Sequence, residues 1–160
     1  MLREYIAQMR RKKRWIPESI FLCYVAVLLY FLLFAERNVQ GLNGYNIHLF
    51  AEIQRYLQYR NILGTKLVIQ NLAGNVIGFI PFGLFLPQMN VRFNKIWKIT
   101  LTAATFSLMI EVIQRLTAVG CFDVDDVFLN TVGGLLGACL WGIFAKIRNR
   151  YGIKKETEKV

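Results

Sequence analysis

The chain has 160 residues, one domain's worth, and 55% of them are hydrophobic. A soluble domain of this size has too little interior to hide so much apolar surface, so an ordinary water-soluble fold is excluded. The formal net charge is +10. Because the basic residues flank apolar stretches, they argue for membrane orientation and against a nucleic-acid-binding protein.

Residues 1–15 are polar and basic, ending in Arg10-Arg11-Lys12-Lys13-Arg14-Trp15. Residues 16–35 follow as an apolar run of about 20 residues, enough to cross a hydrocarbon core of about 30 Å. Phe34-Ala35-Glu36-Arg37 lacks the small residues of a cleavage site, so an uncleaved first helix is expected. Residues 36–66 are more polar. Within them Phe50, Ile53 and Leu57 recur at helical spacing, with Glu52 and Arg55 on the other side. That pattern fits a short amphipathic helix in the membrane interface, or else a loop packed on the bundle.

A second span is predicted over 67–86, interrupted by Asn71, Gly74, Asn75, Gly78 and Pro81. Pro81-Phe82-Gly83 predicts a local kink or break. After a loop with Arg92, Lys95 and Lys98, the third span covers 99–118 and turns polar at Glu111, Gln114 and Arg115. An acidic turn with Asp123, Asp125 and Asp126 leads to the fourth span, 127–147, and a basic tail, 148–160. The expected fold is therefore all-α: a polytopic four-helix transmembrane bundle over 16–147, with a basic segment at either end.

With four spans, fifteen of the twenty Lys and Arg fall on one side: those of the N-terminal segment, the 88–98 loop and the C-terminal end. Arg37, Arg55, Arg60, Lys66 and Arg115 fall on the other. The positive-inside rule then puts both termini in the cytoplasm, and the flanking charge in contact with anionic lipid.

On that topology the polar residues within the spans all lie near the outer leaflet. Asn71, Gly74, Asn75 and Gly78 share one helix face, and Asp126, Asn130, Gly133, Gly134 and Gly137 share another. The pairs Gly74–Gly78 and Gly133–Gly137 allow close helix approach, and Asn bonds across such contacts. With Pro81 and Gly83, these glycines are the expected packing positions. Asn71, Asn75, Glu111, Gln114, Asp123, Asp126 and Asn130 are expected to line an outward polar pocket. A carboxylate in a span, such as Glu111, costs about 2.5–3.5 kcal/mol and needs a partner such as Arg115 or a raised pKa. The acidic turn has a plainer reading: Asp123 or Asp125 caps the fourth span. His48 is the only histidine, and it reads as an interfacial polar residue. The three cysteines have no metal-ligand spacing and read as structural. There is no nucleophile elbow, phosphate loop or zinc-protease motif.

Three segments resemble the VanZ-like family. Asn75, Phe79, Pro81 and Gly83 match its N-x-x-x-F-x-P-x-G. Glu111 and Gln114 match its E-x-x-Q. Phe122, Asp123, Asp125, Asp126, Asn130, Thr131 and Gly133 match its F-D-x-D-D-x-x-x-N-T-x-G. Gly120 and Cys121 stand where many members carry an Arg, and Asn46-Ile47-His48-Leu49-Phe50 lacks the proline of the corresponding stretch. The resemblance implies a multi-pass protein of the bacterial cell membrane, of a family named for an accessory factor in resistance to teicoplanin-type glycopeptide antibiotics.

Three functions are compatible with these residues. A non-enzymatic pocket would engage a lipid-linked cell-wall precursor, a lipid headgroup or a lipoglycopeptide. A membrane enzyme acting on a lipid or polyprenyl phosphate would hold Mg²⁺ or Ca²⁺ on oxygens of Glu111, Asp123, Asp126 and Asn130, with Glu111 as general base; the sequence offers it no nucleophile. A scaffold subunit would use the glycines for packing alone. Membrane lipids are the expected surroundings of all three, and no redox, nucleotide or haem cofactor is indicated.

Overall fold

The computed structural model describes residues 18–35, 45–117 and 120–150; the basic segment 1–15 and the tail beyond 150 lie outside them. Helix α1 is described from residue 18 and includes a π-helical turn, Phe31–Ala35. A two-residue strand β1, Tyr45–Asn46, leads to helix α2, Ala51–Gln58, and the single turn α3, Arg60–Leu63. Helix α4 runs over Thr65–Met89 and α5 over Ile96–Leu116, joined by a 3₁₀ turn, Val91–Phe93. A second short strand, β2 (Phe122–Asp123), precedes α6, Val124–Arg150.

Helices α4, α5 and α6 are each long and apolar enough to cross a membrane, and the apolar part of α1 described, Glu18–Leu33, is shorter. With 25, 21 and 27 residues, the three long helices rise about 30–40 Å at 1.5 Å per residue. The surface agrees: Ile69, Ile77, Leu101, Met109, Leu140 and Ile143 are exposed along them. In water such a surface would drive aggregation; facing lipid it is the solvent-matched surface.

Two sequence expectations are narrowed by the structure. Helix α4 passes through Pro81 and Pro87 as one continuous helix, so Pro81-Phe82-Gly83 does not break it. Pro81 removes one backbone bond from the ladder, but packing against neighbouring helices holds the segment, with Phe82 and Gly83 buried. The fold is also not purely helical: β1 pairs in parallel with β2, Tyr45 opposite Phe122 and Asn46 opposite Asp123. The acidic turn is thereby tied to the segment after α1.

Helix α6 packs centrally, between α4 and α5. A Cβ on Gly83 would stand 2.0 Å from the Gly134 carbonyl oxygen, one on Gly133 2.2 Å from that of Val76, and one on Gly137 2.1 Å from that of Ile80. At these three positions α4 and α6 touch backbone to backbone, which only glycine permits. Gly134 turns to α5, where a Cβ would meet the Ala103 Cβ at 2.4 Å. The other expected packing pair behaves differently. Gly78 faces Leu28 of α1 at an ordinary 3.5 Å, and among the described residues Gly74 has nothing within 4 Å. The tight seam is thus Gly83 with Gly133, Gly134 and Gly137. Beside it Phe79, Phe82 and Phe106 form an aromatic layer, Phe82 stacking on Phe106 at 5.0 Å. Helix α1 joins through Phe21 on Phe82 and through the Tyr24 hydroxyl, which donates to the Gly78 carbonyl at 2.6 Å.

Candidate functional site

The polar residues meet where α4 begins, α5 ends and α6 begins. On α5, Ser107, Glu111 and Gln114 recur at i, i+4 and i+7, so they lie on one buried face. On α6, Asp126 and Asn130 are one turn apart. These spacings bring the three helices together in successive polar contacts. Outermost, Glu111 Oε2 accepts the Asp123 amide at 2.9 Å. Asn75 Nδ2 donates to Asp126 Oδ1, linking α4 to α6. Deepest, Asn130 Nδ2 donates to Ser107 Oγ at 2.8 Å, near the middle of α5. Glu111 is 3% exposed and Asn130 1%, so these groups are shielded from solvent. In that setting each hydrogen bond matters more, because the alternative is an unpaired group in an apolar medium.

Asp123 directly precedes α6: its Oδ1 accepts the Asp125 amide at 2.8 Å, an N-cap bond, and also the Asn46 side-chain amide at 2.9 Å. Asp125 does something the sequence does not announce. Its carboxylate, 1% exposed, caps a different helix. Oδ1 accepts the Phe50 amide, and Oδ2 accepts those of Glu52 at 2.8 Å and Ile53 at 3.1 Å. Helix α2 has no side-chain cap of its own. The anion therefore satisfies three amides at its N-terminus and complements its dipole. Phe50 sits at φ 70°, a left-handed conformation unfavourable for a bulky residue. The Asp125 bond and an edge-on contact of Phe50 with the Phe128 ring at 5.3 Å hold it there.

Two predicted site residues tie the rim rather than the cluster centre. Asn71 Nδ2 donates to the Tyr56 hydroxyl of α2 at 2.8 Å. Gln114 Nε2 donates to the Leu32 carbonyl in the π-helical turn of α1 at 2.9 Å. Arg115 lies over the Tyr45 ring, 4.6 Å from its centroid. Among the described residues, the buried oxygens Gln114 Oε1 and Asn130 Oδ1 have no hydrogen-bond partner.

Acidic groups crowd this end. Glu52 pairs with Arg55 through a short contact. Burial pushes the Glu52 carboxyl above its ordinary pKa; Arg55 opposes the shift, and Asp123 and Asp125 add to it. Burial likewise raises Asp123, against the lowering effect of its bonds from the Asp125 amide and Asn46. Among the described residues, no three His, Cys, Asp or Glu side chains are grouped as ligands for a metal ion. The carboxylates instead accept from amides.

Of the residues singled out from the sequence, Asn75, Glu111, Asp123, Asp126 and Asn130 come together, while Asn71 and Gln114 stand at the edges. Missing from the expectation are Asp125 as a cap for α2, and Asn46, Ser107 and Tyr56 as partners. Ser107 was legible in principle, one turn before Glu111 on the same face.

Long apolar helices meeting in a buried polar cluster at one end define a helical membrane protein. The VanZ/LLP1 family model matches residues 21–145. The protein VanZ of Enterococcus faecium is 35% identical over 138 residues, which cover 84% of this chain and 79% of that one. This chain belongs to the VanZ family. No solved structure matches it.

Proposed function

We propose that this protein works in the bacterial cell membrane as a four-span bundle with both termini in the cytoplasm. Its polar end faces the outer leaflet, where it lowers the action of teicoplanin-type glycopeptides by engaging a lipid-linked, cell-wall or lipopeptide ligand. The observation that carries this reading is the convergence of Asn75, Glu111, Asp123, Asp126 and Asn130 at one end of the bundle, with Arg92, Lys95 and Lys98 at the other. The positive-inside rule turns the basic end to the cytoplasm and so the polar end outward. Family membership supports the link to glycopeptides. In this reading half-buried Asn71, Asn75, Asp123 and Asp126 meet the ligand's polar groups. The buried Glu111, Asp125 and Asn130 keep them in place.

The test is teicoplanin susceptibility of a sensitive Gram-positive host expressing the protein or its Glu111→Gln, Asp126→Asn variant at matched membrane levels. The expected result is protection by the first and loss of protection in the second. Equal protection by both would remove the polar cluster from the mechanism, and no protection by either would detach this chain from glycopeptide action.

A further inference from the structure

Toward the opposite end of the bundle, one face of α5, with Leu135 of α6 beside it, borders a shallow open groove of about 700 Å³. It is lined by Ile96, Trp97, Thr100, Leu101, Ala104 and Leu135. The small side chains of Thr100 and Ala104 form a depression between larger neighbours. The Thr100 hydroxyl donates to the Ile96 carbonyl at 3.0 Å, so it presents no free donor. From Ile96 to Ala104 the groove runs about 12 Å along the helix. That is close to the hydrocarbon depth of one leaflet, about 15 Å.

The mouth of this groove is basic. Lys98 Nζ is held 5.7 Å from the centroid of the Trp97 ring, a groove wall. Lys95 directly precedes α5, Arg92 lies in the adjoining 3₁₀ turn, and both are exposed. The carboxylates of the polar cluster are all at the other end. A shallow apolar groove about 12 Å long with positive charge at its end is complementary to one kind of molecule, with an acyl chain below and a phosphate above.

We propose that this groove binds one anionic diacyl phospholipid, an acyl chain lying against Ala104 and Leu135 and the phosphate facing Lys95 and Lys98. Such binding is saturable, unlike the diffuse attraction of a basic surface. It is also independent of the polar cluster at the other end.

Trp97 reports on the groove directly. The chain has two further tryptophans, Trp15 and Trp141; replacing both with Phe leaves Trp97 as the single emitter. In full-length protein reconstituted in vesicles, quenching by bromine-labelled phosphatidylglycerol should exceed quenching by phosphatidylcholine with the same labelled chains, and should saturate. Each lysine should contribute about five-fold to the relative affinity. Lys95→Gln with Lys98→Gln should bring the ratio near one. Ala104→Phe, which fills the groove and leaves the charges, should also abolish the preference. Helix content by circular dichroism checks that each variant is folded. Equal quenching by the two lipids in the parent protein would overturn the proposal. So would a preference that survives Ala104→Phe, which would mark surface charge alone. Weak quenching by both lipids would also overturn it, as it would mean that another protein, or a second copy of this chain, covers the groove.

Discussion

Where α6 begins, helix contacts run through side-chain hydrogen bonds: Asn75 to Asp126, Asn130 to Ser107, Asp125 to three amides of the α2 start. From Gly133 to Ala138 the same helix meets α4 and α5 through bare backbone and small side chains. Lipid offers helices no hydrophobic drive to associate, so association rests on close packing and on polar bonds. This protein divides the two along one helix. The glycine seam sets how near α4 and α6 lie. The polar end sets which loops and short helices are held over the bundle.

The largest expected effect comes from breaking the seam. Gly83→Val places a side chain where even a Cβ would stand 2.0 Å from the Gly134 carbonyl. Backbone must move to admit it, and the destabilisation should be about 3 kcal/mol or more. A thermal unfolding scan in detergent should show a clear loss of midpoint. Breaking the polar end should cost less and act locally. Asp125→Ala leaves three amides at the start of α2 without their acceptor. A cost of about 2 kcal/mol is expected. Hydrogen exchange should speed up over residues 50–58 while the long helices stay protected.

A smaller effect follows from the raised carboxyls. Burial lifts Asp123 and Glu52 above their ordinary pKa. A carboxyl raised in the folded state stabilises it fully below the ordinary carboxylate pKa, and that contribution is lost as pH rises through the folded value. Exchange protection of α2 should therefore increase modestly as pH falls from neutrality toward the carboxylate range. Asp123→Asn should flatten that response. The smallest effect sharpens the contrast between glycines. Among the described residues Gly74 has open space around it, so Gly74→Ala should be neutral or stabilise by about 0.5–1 kcal/mol through helix propensity, measured in the same thermal scan.

The long helices were legible because a membrane-crossing segment must be continuous and apolar. The second and fourth predicted spans, 67–86 and 127–147, fall inside α4 and α6, and the third, 99–118, overlaps α5 closely. Periodicity likewise placed Asp126, Asn130, Gly133 and Gly137 on one face, and these residues do meet α4 and α5. The same rule paired Gly74 with Gly78, which are not in the seam. Periodicity says which residues share a face; it does not say which neighbour that face meets. Helix α2 bears out the helical spacing of Ile53 and Leu57 but runs over Ala51–Gln58, with Phe50 outside it in a left-handed conformation. Its start is set by Asp125, more than seventy residues away, so no local pattern marks it.

By itself the sequence determined that the chain is a helical membrane protein, where its long apolar helices run and at which ends their polar and basic residues gather. All of this follows from hydropathy and helical spacing, which are local. Only the tertiary structure decided that Asp125 caps α2, that β1 pairs with β2, and that Gly83 rather than Gly74 joins Gly133 and Gly137. Each of these depends on which groups distant in sequence are brought within bonding distance, and that is fixed by the packing of the three long helices.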